Sequence, residues 1–217
     1  MLNSTSSSST FVLGVLSVLI GFCTGGVLSG PGVPFLPRRV AENDTNTLAI
    51  YYRIEAELVN LENNGGIRST GAPCDSSGSG PCDPILYAYI DVQQPNSPFP
   101  GALTTALFPK VFAANAINSP RIGAIVSATV CNQKVAKGTL RVRIMDRNKI
   151  MANSLINDYD CYIEGRSGVT PNEAEWTRPT NCVGHYIPGK TKLVFRSRIY
   201  HIKPDQCSGI LSRPAKN

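Results

Sequence analysis

The sequence predicts an all-β fold, an antiparallel β-sandwich that disulfides stabilise. Sixteen Pro and nineteen Gly residues divide the 217-residue chain at short intervals. Between them apolar and polar residues alternate as in strands, and no long segment has the period of an amphipathic helix. A composition of 42% hydrophobic and 17% charged residues is typical of a globular protein with one core. These observations favour a sandwich over a helical bundle or a doubly wound fold.

The N-terminus has the pattern of a secretory signal peptide. An apolar run from Phe11 to Phe22 is followed by small residues from Cys23 to Gly26, which is the order of such a signal and its cleavage site. We therefore expect a signal peptide over residues 1–25 and a secreted, extracellular protein with no stable transmembrane span after cleavage. The alternative is an uncleaved anchor from Phe11 to Leu28, which is short for a membrane span.

Two further terminal segments are predicted to lie outside the sandwich. Residues 26–46 contain several Pro and Gly residues, the pair Arg38-Arg39 and the polar run Glu42–Thr45, as in a flexible leader. Within this leader, Asn43 begins an Asn-Asp-Thr sequon and is a candidate glycosylation site. The sandwich is predicted over residues 47–207, and residues 208–217 form a C-terminal tail.

The cysteines predict a disulfide framework. Of the seven cysteines, cleavage of the signal would remove Cys23 and leave six, an even number in an oxidising compartment. Closeness in the sequence favours two local bridges and leaves one long-range bridge, but the sequence alone does not choose among the possible connectivities. The favoured pairs are Cys74 with Cys82, Cys161 with Cys182, and Cys131 with Cys207.

The stretch from Ile50 to Val92 is predicted to form a hairpin whose tip is closed by a disulfide. Apolar and charged residues alternate over Ile50–Leu58, which indicates a strand with one core face and one solvent face. Turn residues at Asn63–Gly66 end this strand, and the loop 74–82 has few side chains to bury. The nearly continuous apolar run Pro84–Val92 predicts a central strand that is covered on both faces.

Three more strands are predicted in the second half of the chain. They cover Arg121–Cys131, Gly138–Asp146 and Lys192–Ile202. The second alternates cleanly between apolar and basic residues, and the third does so except that Ser197 and His201 fall on its apolar side. The segment Arg147–Cys161 is predicted to be a polar crossing rather than a strand. The basic residues predicted to face the solvent from the last two strands are Arg141, Arg143, Lys192, Arg196 and Arg198.

Several short motifs occur in a characteristic order. An Asn-Asn-Gly-Gly turn at 63–66 precedes Gly71–Cys74, then Cys82-Asp83 opens a strand, and Leu193–Tyr200 closes the domain. In the order of these motifs, and in the turn and cysteine residues that separate its strands, the chain resembles the N-terminal C2-like module of Notch ligands of the Delta, Serrate and Jagged class. The resemblance implies a C2-like sandwich and recognition of a cell-surface receptor.

The sequence also departs from the Notch-ligand pattern. Cys74-Asp75 stands where that family has a doubled cysteine, and the cysteine-rich receptor-binding module and EGF repeats are missing from this sequence. Receptor activation by pulling from a neighbouring cell is therefore not implied.

Catalysis is not expected from this sequence. Its two histidines, His185 and His201, are far apart, and it has no nucleophile elbow, zinc-protease motif or phosphate-binding glycine loop. We therefore expect a non-catalytic recognition module rather than an enzyme. The alternative classes are a structural protein of extracellular matrix or cuticle, and a secreted venom or immune effector.

Calcium is the one cofactor that the sequence raises. Asp146, Asp158 and Asp160 offer the carboxylate oxygens that a hard cation requires. Turn chemistry also selects Asp, and the loose spacing of these three residues favours that simpler explanation.

The basic residues predict a binding surface. A net charge of +6 leaves the outward row of Arg141, Arg143, Lys192, Arg196 and Arg198, here called the basic strip, without an obvious counter-charge. Anionic lipid headgroups or sulfated glycans are the extracellular partners that such a strip would suit. Nucleic acid is disfavoured by the compartment, and the alternative is a solvated basic face with no partner.

Overall fold

A computed structural model describes residues 51–75, 80–132, 136–148 and 152–207. These residues belong to a compact unit that spans Asn46–Asn217. The predicted signal peptide (1–25), the leader (26–46) with its sequon at Asn43, and the tail (208–217) lie outside the described residues.

The described residues form ten strands in two sheets that enclose one core. The strands are β1 (Tyr52–Glu62), β2 (Pro84–Asp91), β3 (Lys110–Ala113), β4 (Arg121–Val130), β5 (Thr139–Asp146), β6 (Ser154–Tyr162), β7 (Ser167–Gly168), β8 (Thr180–Asn181), β9 (Val183–Gly184) and β10 (Lys192–His201). The first sheet has the order β4-β1-β10-β7, with β8 also paired to β10, and the second has the order β3-β2-β5-β6-β9. Neighbouring strands are antiparallel except for the short pairing of β7 with β10. Two 3-10 helices, Thr105–Leu107 and Pro204–Cys207, complete the described part.

The period of two places one side of each long strand in the core. The apolar residues of β1, β5 and β10 point inward, as the alternation predicts. Those with at most 2% of their surface exposed are Ile54, Ala56, Leu58, Leu61, Leu140, Val142, Ile144, Leu193 and Phe195. The predicted inward faces of these strands are therefore confirmed.

The predicted hairpin between β1 and β2 is wrong. In the first sheet β1 lies between β4 and β10, whereas β2 lies between β3 and β5 in the second sheet. The charged face of β1 explains the choice of partner, because Glu55 and Glu57 lie opposite arginines of β10. The segment that joins β1 to β2 therefore crosses from one sheet to the other. Although not at the centre of its sheet, β2 is an interior strand.

The predicted polar crossing at 147–161 is also wrong over most of its length. Residues from Ser154 onward form β6, which lies beside β5 and is largely buried. The polar residues Asn157, Asp158 and Asp160 of this strand are each at most 5% exposed. Burial is tolerated because each has hydrogen-bond or ionic partners in the neighbouring elements.

Three disulfides join the six described cysteines, and the pairing favoured by sequence is confirmed. Cys74 is bonded to Cys82, Cys131 to Cys207, and Cys161 to Cys182. The third bridge fixes the point between β8 and β9 where the chain leaves the first sheet for the second. Within the described ranges, neither of the two short helices has the length and hydropathy that a membrane span requires.

Candidate functional site

The basic strip is divided between the two sheets, and its half on β10 is neutralised. Arg196 and Arg198 lie 2.6 Å and 2.7 Å from carboxylate oxygens of Glu57 and Glu55 on β1. Lys192 is exposed and lies 3.6 Å from Glu62. The expectation of a strip without counter-charge is therefore wrong for β10, because the facing strand carries a matching row of glutamates.

Trp176 covers the paired arginines of β10. Its ring lies 4.7 Å from the guanidinium carbon of Arg198 and 5.1 Å from that of Arg196. The negative face of an indole attracts a guanidinium, and the contact also removes both groups partly from water. These two arginines serve the packing of the first sheet more than an external ligand.

Arg141 is buried, so its predicted place on the surface is wrong. Its side chain is 1% exposed, because the loop that follows β2 folds across the outer face of the second sheet. Arg143 is 28% exposed; its guanidinium lies 3.1 Å from Asp158 and donates to the Thr105 hydroxyl at 2.6 Å. Each arginine of β5 thus faces an aspartate of β6.

The three aspartates of the predicted calcium site do not converge. Along β5, Asp146 lies opposite Ser154, while Asp160 lies opposite Arg141, five positions away. At about 3.3 Å per residue these two carboxylates are roughly 16 Å apart along the strands. Asp158 and Asp160 are also occupied by arginines. This set of residues does not fit a shared calcium ion.

Asp146 lies instead beside the Cys74–Cys82 bridge. One oxygen from its carboxylate and the two sulfur atoms all lie within 4.8 Å of one another. Sulfurs joined in a disulfide have lost the thiolate charge that binds metals, and calcium requires oxygen ligands. This cluster is therefore a buried structural contact.

Two buried aspartates have raised pKa values. Burial raises the pKa of Asp158, which the charge of Arg143 partly offsets. Burial likewise raises the pKa of Asp146, against the lowering effect of the hydrogen bond from the Asp83 N–H. In both cases the folded state holds the proton more tightly than the unfolded chain does. Such a group stabilises the fold least at a pH above its folded-state pKa.

Replacing Asp146 by Asn should flatten the pH dependence of stability. In the wild type, ionisation of this carboxyl destabilises the fold as pH rises from the ordinary aspartate value through the raised pKa. A neutral amide can still accept from the Asp83 N–H and loses this dependence. Urea unfolding from about pH 3 to about pH 8 measures the effect. Asp146→Asn should equal or exceed the wild type at neutral pH.

The control for this prediction is the exposed Glu175, changed to Gln. This variant should keep the pH profile of the wild type. If Asp146→Asn retains that profile as well, ionisation of Asp146 does not lower the free energy of unfolding.

A groove lies at the end of the first sheet where β1 begins and β10 ends. It has a volume of about 600 Å³ and lies between the end of β10, the loop after β7 and the helix Pro204–Cys207. We call it the basic groove. The residues that line it are Arg53, Val169, Thr170, Pro171, Tyr200, His201, Ile202, Lys203 and Gln206. Cationic and apolar residues thus share one concave surface. Its lining residues include no carboxylate, although Glu173 accepts from the Thr170 N–H and Glu55 accepts from the Tyr200 hydroxyl.

Side-chain contacts hold the walls of the basic groove. The Arg53 guanidinium donates to the Thr129 hydroxyl at 3.0 Å. The ring of His201 packs on Tyr52 with 4.7 Å between centroids. On the far wall, the Gln206 side-chain oxygen accepts from the Lys203 N–H at 3.0 Å. Among the described residues, the ion pairs found do not include Arg53 or Lys203, unlike the arginines of β10.

The basic groove is not predictable from sequence pattern. The alternation of β1 places Arg53 on a charged strand face, and that of β10 assigns His201 only to a strand. The loop Val169–Pro171 has no periodic pattern, so nothing in the sequence indicates that it approaches Lys203. The pairing of β10 with β1 on one side and with β7 on the other brings these segments together.

A C2-type sandwich is confirmed by comparison with a solved structure. The chain is similar to a C2 domain protein from Ramazzottius varieornatus, with a TM-score of 0.65 and 28% identity over 77% of this chain and 96% of that chain. It also matches human GIVD cytosolic phospholipase A2 (TM-score 0.45, 11% identity, 71% of this chain and 17% of that chain). A third match is a C2 domain of plant extended synaptotagmin 1 (TM-score 0.40, 9% identity, 69% of this chain and 92% of that chain).

No protein-family model and no curated protein sequence matches the chain. None of these three structures is a Notch ligand, so the resemblance to that class stays a prediction from sequence motifs.

Proposed function

We propose that this protein is a secreted, non-catalytic C2-type recognition module that binds an anionic lipid headgroup in the basic groove. The observation that carries the proposal is the presence of Arg53, His201 and Lys203 in one concave site whose lining has no carboxylate. Guanidinium and ammonium groups form short, charge-assisted hydrogen bonds with phosphate oxygens. The arginines of β10, in contrast, are already satisfied by glutamates.

The apolar part of the basic groove favours a lipid over a sulfated glycan. Val169 is 70% exposed, and Pro171 and Ile202 line the same groove. Such side chains gain free energy when they leave water for the acyl boundary of a membrane, whereas a glycan offers no apolar phase. Secretion is supported by the three disulfides, which persist in oxidising compartments.

Removing two cations from the basic groove should weaken membrane binding strongly. Each cation near an anionic surface contributes about 1 kcal/mol. The double variant Arg53→Gln, Lys203→Gln should therefore bind vesicles that contain phosphatidylserine about 30-fold more weakly, with a smaller salt dependence. Vesicle sedimentation with and without phosphatidylserine measures the effect.

The matched control removes the same charge from other positions. Arg121 and Lys190 are exposed and lie outside the basic groove. Arg121→Gln with Lys190→Gln should bind nearly as well as the wild type. Equal losses in the two double variants would mean that net charge alone drives binding. Retention on heparin with no vesicle binding would assign the groove to a glycan. Capture of one cell-surface protein by both double variants would favour the receptor expected from the Notch-ligand resemblance.

A further inference from the structure

We infer that the loop after β2 builds a cation cage on the second sheet and that the guanidinium of Arg141 is its resident cation. Two carboxylates and three main-chain carbonyls surround this side chain. The oxygens and their distances from Arg141 nitrogen atoms are Asp160 Oδ1 at 2.7 Å, Ser97 O at 2.7 Å, Gln94 O at 3.2 Å, Pro95 O at 3.3 Å and Asp91 Oδ2 at 3.5 Å. Carboxylate and carbonyl oxygens are also the ligand types that calcium takes, and this ring supplies five oxygens where calcium takes roughly six to eight.

Hydrogen bonds that do not involve Arg141 shape the cage. Asp91 Oδ1 accepts from the N–H groups of Gln93 and Gln94, and its Oδ2 accepts from the N–H of Ala102. The Thr139 hydroxyl donates to the carbonyl of Pro95. These contacts turn the loop over the sheet and direct its carbonyls inward.

The fit of Arg141 to this cage is incomplete. Its Nε is buried and has no hydrogen-bond partner among the described residues. Gly101, which has φ of +81°, packs against the same part of the guanidinium, where a side chain would meet Asp91 and Tyr89. The Arg141 Nε–H is thus left without an acceptor, while the oxygens of the ring are held by hydrogen bonds within the loop and to Thr139. We infer that the loop, rather than Arg141, determines where these oxygens lie.

In this cage the guanidinium of Arg141, rather than a metal ion, holds the loop after β2 against the second sheet. Arg141 neutralises one of the two negative charges of Asp91 and Asp160, and His185 lies 3.0 Å from the second oxygen of Asp160. Without the arginine the two carboxylates would repel each other, and a small added cation could enter. The ligand class of the emptied site is therefore a divalent cation or free guanidinium.

The test is rescue of Arg141→Ala by added cations. The mature protein with this change should melt about 10 °C lower than the wild type, because a buried pair loses its positive partner. Millimolar calcium, or low guanidinium at matched ionic strength, should raise the melting temperature of the variant by several degrees through binding to the folded state. The wild type should respond to neither calcium nor a chelator.

Arg143→Ala is the matched control, since Arg143 faces Asp158 on the same strand pair but has no ring of carbonyls. Calcium should not rescue it. The inference is overturned if calcium stabilises the wild type, if it rescues both variants equally, or if it rescues neither. If Arg141→Ala does not stay folded, its refolding yield is measured with and without calcium. A higher yield with calcium supports the inference, and an equal yield contradicts it.

Discussion

Replacing Cys131 and Cys207 together by Ala should lower the free energy of unfolding by about 4 kcal/mol. This bridge closes the longest of the three disulfide spans among the described residues, 76 residues in sequence. In the chain-entropy account a crosslink stabilises by restricting the unfolded chain, and its effect grows with the span. Urea unfolding of the double variant against the wild type measures the loss.

The matched control is the Cys74–Cys82 bridge, whose span is 8 residues. Its double alanine variant should lose about 2 to 3 kcal/mol, less than the long-range variant. If this short bridge proves the more important, packing of its buried sulfurs rather than chain entropy determines the ranking.

The Cys131–Cys207 variant should also weaken the proposed membrane binding. The helix Pro204–Cys207 ends at this bridge and belongs to the segment that carries Lys203 and Gln206 into the basic groove. Without the bridge this wall of the groove loses its covalent link to β4 and keeps hydrogen bonds such as those from the Lys203 N–H to Gln206 and from the Ile202 N–H to Tyr51. Undiminished binding below the melting temperature of the variant would show that the far wall does not contribute.

The strand faces were predictable because they depend on local periodicity. A strand exposes alternate residues to one side, so the pattern of Leu140, Val142 and Ile144 determines which face is buried without knowledge of any partner. The same holds for β1 and β10. The disulfide pairing was favoured correctly because two of the bridges are local.

Strand partners were not predictable from the same pattern. The ion pair between Glu55 and Arg198 joins residues 143 positions apart, and no local signal connects them. The cations of β10 are visible in the sequence, but the glutamates that face them become apparent only once β1 is paired with β10. The buried polar strand β6 was missed for the same reason, since Asp158 and Asp160 look like surface residues until Arg143 and Arg141 are placed opposite them.

The sites depended on irregular segments. The basic groove and the cation cage are each closed by a loop without periodicity, the first at Val169–Pro171 and the second at residues 92–102. The loop at residues 92–102 is positioned by hydrogen bonds between its main chain and side chains of the sheet, such as Asp91 and Thr139, and no periodic pattern marks these contacts. A sequence pattern can identify a candidate charge, but it cannot show which loop will cover that charge.

The assignment of faces on β10 gives the last prediction. Phe195 is 2% exposed in the core, whereas its neighbour Val194 points to the opposite side and is half-buried. Phe195→Ala should lower the free energy of unfolding by about 3 to 5 kcal/mol, because it leaves a cavity between the sheets. Val194→Ala should cost roughly 1 kcal/mol. Urea unfolding of both variants at one pH measures the difference.

Because a shift of one residue exchanges the two faces of a strand, a larger loss for Val194→Ala would reverse the inward and outward sides of β10. The ion pairs of Arg196 and Arg198 with Glu57 and Glu55 on β1 would then be wrong as well, because both arginines lie on the same face of β10 as Val194.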